Sequence, residues 1–178
     1  MGTIRFCRLD KANAVQVFPE LFQILHTNMS RIALSPNSYE EDEAMWLSYV
    51  LPQTQQENLQ FLLMYVGNIL AGYFQYSVNG DILMVDEVEI KPEYQRTRLF
   101  YQLCIYLCNQ LSPDIRFVES YVNKQNENSL RIHQKLGIEV IGESKSGSSW
   151  RMRGEVRNIR AYFERERRDG YDLPFKAN

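Results

Sequence analysis

The residues best suited to chemistry fall in two stretches of the chain. In "NENSLRIHQKLGIEVIGE", Asn126 and His133 stand seven apart, and at about 100° per helical residue they lie nearly in line. Ser129 falls four before His133 and Leu136 three after it, on the same broad face. That face carries polar groups at its start, then an imidazole able to exchange protons near neutral pH, then leucine packing. Gly137 closes the helix in the left-handed manner before Ile138 opens a strand. The same pattern also fits Asn126 as a helix cap and His133 as a half-buried helix histidine. In "VDEVEIKPEYQRTRLFYQL", an alternating strand turns directly into an apolar helix. Turns of that kind commonly hold phosphate, through unpaired N–H groups and the positive end of the helix dipole, and glycine usually lets the backbone approach. This turn has no glycine and carries Arg96, Arg98 and Phe100 instead.

The elements that must position these residues follow from periodicity. "TIRFCRL" alternates as a first strand, and "KANAVQVFPELFQILHTNMS" has helical spacing with an interruption expected at Pro19. "LSPNSYEEDEAMWLSYVLP" starts a second helix, where Ser38 and Glu41 match a capping box and the acids from Glu40 to Glu43 suit the dipole. "LQFLLMYVG", "ILAGYFQYSV" and "DILMVDEVEI" are strands separated by Gly67-Asn68 and Asn79-Gly80, hence an antiparallel meander. A long helix is expected from about Gln95 to Leu111, then strand "IRFVESYV", helix "ENSLRIHQKLG", and strands "IEVIGES" and "SSWRMRG". "EVRNIRAYFERERR" sets Val156, Ile159 and Phe163 on one side of a C-terminal helix near residues 155–170. The order implies one α/β domain over residues 1–178, a mixed sheet covered by helices.

This order, taken with the two stretches, resembles the GNAT superfamily of acyl-CoA N-acyltransferases. The first stretch is similar to that family's fourth strand and pyrophosphate loop, the second to its later helix and sixth strand. The resemblance covers roughly residues 60–155 and reaches the N-terminal part through element order. It implies a GNAT-like fold, with a central, mostly antiparallel sheet flanked by helices. It also implies transfer of an acetyl group from acetyl-CoA to a primary amine, by direct attack in a ternary complex.

The roles carried by the resemblance are these. Asn126, with Ser129, contacts the pantetheine arm, and His133 stands where a tyrosine commonly protonates the departing thiolate. Backbone groups of Val88 and Ile90 face the pantetheine and the thioester carbonyl, in the manner of an oxyanion hole. The loop Gln95, Arg96, Thr97, Arg98, Leu99 and Phe100 holds the pyrophosphate. Gln95 fits the family's loop, whereas Arg98 and Phe100 take its two small-residue positions and Arg96 a third often filled by glycine. Two outcomes stay open: the guanidinium groups grip phosphate, or the side chains fill its space. Glu87 matches a strand position that is often acidic and is the candidate base, with Glu89 near it and a water chain as the alternative. Tyr39, Trp46 and Tyr49 fall on the wall that lines the acceptor site in relatives.

Composition narrows the rest. A chain of 178 residues with 44% hydrophobic and 24% charged residues and a net charge of −2 is an ordinary globular protein. No apolar run approaches the roughly 20 residues of a membrane span, and "MGTIRFCRLD" breaks too early for a signal peptide. Cys104 and Cys108 lack neighbouring histidines or carboxylates, so reduced core thiols, no metal site and a cytoplasmic setting are expected. Glu164 and Glu166 dilute the arginines of the last helix, which reads as a solvated amphipathic face rather than a nucleic-acid contact. The expected partners are acetyl-CoA and an amine of a small molecule or protein, with a second copy of the chain as a further candidate. The rival reading is a non-catalytic binding or regulatory protein of the same fold that has lost acyl-CoA binding.

Overall fold

Two glycine-bearing turns organise the centre of the sheet. Strands β2 (Gln60–Val66), β3 (Ile69–Asn79) and β4 (Ile82–Ile90) run antiparallel in succession, the meander expected from sequence. The computed structural model describes residues 2–56 and 58–168; residues 169 and 170 of the expected C-terminal helix lie outside them. Before the meander come β1 (Ile4–Arg8), α1 (Ala14–Met29) and α2 (Tyr39–Gln55). After it come α3 (Leu99–Gln110), β5 (Phe117–Asn123), α4 (Glu127–Lys135), β6 (Glu139–Glu143), β7 (Ser149–Glu155) and α5 (Val156–Arg168). The sheet has seven strands in the order β1-β2-β3-β4-β5-β7-β6. Among the described residues, β4 and β5 are the only parallel neighbours, joined through α3.

Alternation along β2 and β3 divides the core. Phe61, Leu63 and Tyr73 pack with Phe18, Leu21 and Val50 under α1 and α2. Leu62, Met64 and Phe74 point the other way and pack with Leu99 and Leu103 of α3. On that second face, Leu136 and Ile138 join Ile159 and Phe163 of α5. The helices therefore sandwich the sheet, α1 and α2 on one side and α3, α4 and α5 on the other. Glu119 of β5 is fully buried, and Arg151 and Arg153 of β7 clamp its two carboxylate oxygens. A buried charge needs such pairing, so the contact favours β7 rather than β6 as the neighbour of β5.

Two expectations are corrected here. α1 runs unbroken through Pro19, which lies on the exposed side of the helix. The carbonyl that its missing N–H leaves free belongs to Val15, which is 66% exposed and open to water. α3 begins at Leu99, not Gln95. Residues 92–94 make a 3₁₀ turn, and Arg96 adopts a left-handed φ of 62°, which no helix continues through. Thr97 then donates through Oγ1 to the Tyr94 carbonyl at 2.6 Å and accepts from Leu99 N–H at 3.2 Å, which sets the helix start. By contrast, the Ser38–Glu41 capping box at α2 forms as expected.

Candidate active site

A fork in the sheet builds the site. β4 and β5 pair from Ile82 opposite Phe117 to Val85 opposite Ser120, and there the ladder ends. β4 continues to Ile90 against β3, while β5 continues to Asn123 against β7. Past Val85, the β4 edge that would face β5 has no strand beside it. Lys91 N–H donates to the Ala71 carbonyl at 2.8 Å. By the alternation of an antiparallel ladder, Glu89 and Glu87 then bond to β3, while Val88 and Ile90 turn their backbone groups to the open edge.

A bulge at the same point decides which side chains face which way. Gln75 pairs with Glu87 and Tyr76 with Val85, so Asp86 is an extra residue. Leu83 and Val85 pack towards α3, and after the bulge Val88 and Ile90 do so as well. Glu87 and Glu89 are thereby turned to the α1/α2 face, opposite Gln75 and Tyr73. Without the extra residue, the two sets would exchange faces.

The acids meet a polar lining that the sequence did not announce. Tyr73 Oη donates to Glu87 Oε2 at 2.5 Å, and Trp46 Nε1 donates to Oε1 at 3.3 Å. Burial pushes the Glu87 carboxyl up to about 7, against the opposing effect of those two donors. Asn28 Nδ2 donates to Glu89 Oε2 at 2.6 Å. Burial, with a smaller contribution from the charge of Glu87, pushes Glu89 up to about 8. Of the three aromatic residues expected on this wall, Trp46 touches Glu87, Tyr39 packs against Phe22 and His26, and Tyr49 is 51% exposed. A carboxyl that titrates near neutral pH is suited to take a proton from an amine.

The turn before α3 has a more internal structure than its sequence suggests. Gln95 Nε2 donates to the Ile90 carbonyl at 2.9 Å and to Asn28 Oδ1 at 3.0 Å, and Asn28 Nδ2 also donates to that carbonyl at 3.0 Å. Arg96 and Arg98 are exposed. The positive φ of Arg96 is a conformation that glycine adopts without cost. Phe100 turns inward beneath α3, beside Leu103 and Leu136, rather than outward over the turn.

On the α3 face, Asn126 caps α4, its Oδ1 accepting from Ser129 N–H at 3.1 Å. His133 Nδ1 lies 2.8 Å from the Ser129 carbonyl, which can only accept, so that nitrogen carries hydrogen. Nε2 then accepts from Ser120 Oγ at 2.8 Å in the neutral ring. Burial pushes the His133 pKa down, and the Ser129 carbonyl opposes it. Ser120 marks the last β4–β5 pair, so the hydroxyl–imidazole pair stands at the tip of the fork.

The structure thus brings Val88, Phe100 and His133 to one cavity on the α3 face, and places Glu87 across the sheet from them. Asn126 and Ser129 sit one turn or more from the fork on α4, and Gln95 is drawn towards α1. Ser120, Tyr73 and Asn28 were absent from the expected set. Ser120 had a trace in sequence, a polar residue between Val118 and Val122 on the inward side of a strand. Tyr73 and Asn28 had none.

No protein-family profile and no curated protein sequence matches the chain. Solved structures match over nearly their whole length. PaiA N-acetyltransferase from Thermoplasma acidophilum, in complex with coenzyme A, superposes with a TM-score of 0.64 at 16% identity, covering 86% of this chain and 99% of that one. An acetyltransferase from Thermus thermophilus gives 0.67 at 13% identity over 86% and 97%. The spermidine/spermine N-acetyltransferase SpeG from Vibrio cholerae gives 0.59 at 12% identity over 92% and 98%. These likenesses show the fold: the chain has the architecture of the GNAT acetyltransferases.

Proposed function

We propose that the protein is an acyl-CoA-dependent N-acyltransferase of the GNAT superfamily. The observation that carries this reading is the fork beyond Val85 and Ser120, with a near-neutral carboxyl on one face and a hydroxyl–imidazole pair on the other. An extended, amide-bearing arm such as pantetheine can lie along the open edge of β4 and take the backbone partners that β5 does not supply. Val88 offers both of its groups there. The Ile90 carbonyl already accepts from Gln95 and Asn28, so the Ile90 N–H is the group left for a thioester oxygen or an arm carbonyl. Residues 95–100 and the first turn of α3 would receive the pyrophosphate, with Arg96 and Arg98 adding charge-assisted contacts.

The reaction joins two substrates without an enzyme-bound acyl group. The amine nitrogen attacks the thioester carbonyl carbon from the Glu87 side, forming a C–N bond. The C–S bond then breaks, the electron pair leaving on the CoA sulfur. One proton passes from the amine nitrogen to Glu87, and the thiolate takes one proton to become the thiol. Ser120 and His133 stand on the thiolate side. In the neutral ring, His133 Nδ1–H is held by the Ser129 carbonyl and Nε2 accepts from Ser120, so the proton reaches sulfur once Nε2 is protonated. His133 Nε2–H passes to Ser120 Oγ as the Ser120 hydroxyl proton passes to the thiolate, leaving the neutral ring. Asn126, with Ser129, would steady the pantetheine arm from the start of α4. SpeG acts on spermidine and spermine, and a primary amine is the acceptor class we assign here.

One observation favours the rival binding protein, namely the side chain of Gln95 lying on the Ile90 carbonyl. Calorimetric titration with CoA and acetyl-CoA separates the two readings. Binding followed by thiol release with an amine panel that includes spermidine supports the enzyme. Absence of binding by both ligands overturns it.

A further inference from the structure

The α3 face of the fork opens into a cavity of about 100 Å³. Its walls are hydrocarbon and thiol: Val85 and Val88 from β4, Val118 from β5, and Leu103, Cys104 and Cys108 from α3. Ser120 and His133 stand at its fork end. Protein interiors seldom leave voids larger than a water molecule. Here α3 turns two small thiols, one helical turn apart, towards the sheet among the larger Phe100, Leu103 and Leu107.

We propose that this cavity holds the hydrocarbon tail of the donor, and that the preferred acyl group is longer than acetyl, near butyryl in size. The inference rests on the acyl-CoA reading above. A thioester carbonyl held at the open edge of β4 has Glu87 on one side of the sheet and the cavity on the other. A tail running under α3 leaves the carbonyl carbon clear for the amine, since tail and amine occupy opposite faces. Size sets the length. A dry apolar cavity of about 150 Å³ takes benzene, so 100 Å³ accepts about four carbons. The chemistry of the transfer is unchanged, with the butyryl carbonyl carbon gaining the C–N bond and losing the C–S bond.

The test is calorimetric titration of the full chain with CoA, acetyl-CoA, butyryl-CoA and octanoyl-CoA. Each buried methylene strengthens binding about fourfold, so butyryl-CoA, with two more, is expected to bind about fifteenfold more tightly than acetyl-CoA. Octanoyl-CoA should gain nothing further, because the cavity is full. Val118→Phe fills the space and should abolish the butyryl advantage while leaving acetyl-CoA affinity within about twofold. Cys108→Val, which adds less volume, should lower the advantage by half or more and serves if the larger change prevents folding. Affinity that is equal along the series, or greatest for acetyl-CoA, overturns the cavity proposal and leaves the acyltransferase reading standing. Failure of CoA itself to bind overturns both.

Discussion

His133 Nε2 lies 2.8 Å from Ser120 Oγ, and this pair joins α4 to the last residue of β5 that pairs with β4. The Ser129 carbonyl fixes the tautomer of the neutral ring, and burial pushes the His133 pKa down. The pair relays a proton to a thiolate from the charged ring, His133 Nε2–H passing to Ser120 Oγ as the hydroxyl proton passes to sulfur.

Replacing either member should separate chemistry from binding. His133→Phe is expected to lower turnover about 10²-fold or more while acyl-CoA affinity stays within a few-fold. Ser120→Ala should lower turnover as well and shift the pH dependence, since Nε2 loses its donor. Steady-state rates and calorimetry on both variants check this, and unchanged turnover in His133→Phe removes it from the mechanism.

Glu87 should govern the acidic limb of the pH–rate profile. With a folded pKa of about 7, it is protonated and unable to accept below that value. Activity should rise about tenfold per pH unit up to roughly pH 7 and then level. Glu87→Gln should remove that limb and lower kcat about 10²-fold, with Tyr73 and Trp46 still able to hold the amide. A profile that keeps its break near 7 in the variant assigns the base elsewhere.

The same acids make the fold sensitive to alkali. Both folded pKa values, about 7 and about 8, lie above the ordinary 4.5. Between 4.5 and those values the folded chain keeps protons that the unfolded chain has released. Stability therefore falls as pH rises through that window and levels above it, by roughly 3 kcal/mol for Glu87 and roughly 5 kcal/mol for Glu89. Urea unfolding at pH 5 and pH 8.5 measures the loss. Glu89→Gln, which keeps an acceptor for Asn28, should remove part of it.

The glycine-less turn can be tested one side chain at a time. Arg98→Gly should weaken CoA binding about tenfold and flatten its salt dependence, because a charge-assisted contact to phosphate contributes about 1.5–3 kcal/mol. Phe100→Gly should instead lower stability with little gain in affinity, since that ring packs beneath α3. Tighter CoA binding in Phe100→Gly would show that the ring had been in the way.

Much of this architecture is legible in the sequence because its cues are local. Gly67-Asn68 and Asn79-Gly80 punctuate three alternating runs, and Ser38 with Glu41 announces α2. The bulge is nearly silent. "ILMVDEVEI" is a continuous apolar run before Asp86 and alternates after it, and the adjacent acids Asp86 and Glu87 are the bulge's only trace. The start of α3 is misread for a related reason, as no side-chain period records the backbone reversal at Arg96. Trp46 to Glu87 and Asn28 to Glu89 are contacts across 41 and 61 residues. Nothing in the neighbourhood of either partner encodes them; they follow from how α1 and α2 settle on the sheet.

The extra residue at Asp86 places an unusual demand on this strand. Its side chain is exposed, so nearly any residue can stand there. What cannot change is the count. Removing residue 86 would rotate Val88 and Ile90 into the acid-lined side and drive Glu87 and Glu89 into the oily one, reversing the chemistry of both walls by a deletion that touches no functional side chain. A mutational scan of this strand would accordingly find one position tolerant of nearly any letter but proline and intolerant of being skipped. Its main contribution is arithmetic; chemically, its charge adds only a small upward push to the neighbouring Glu87 carboxyl.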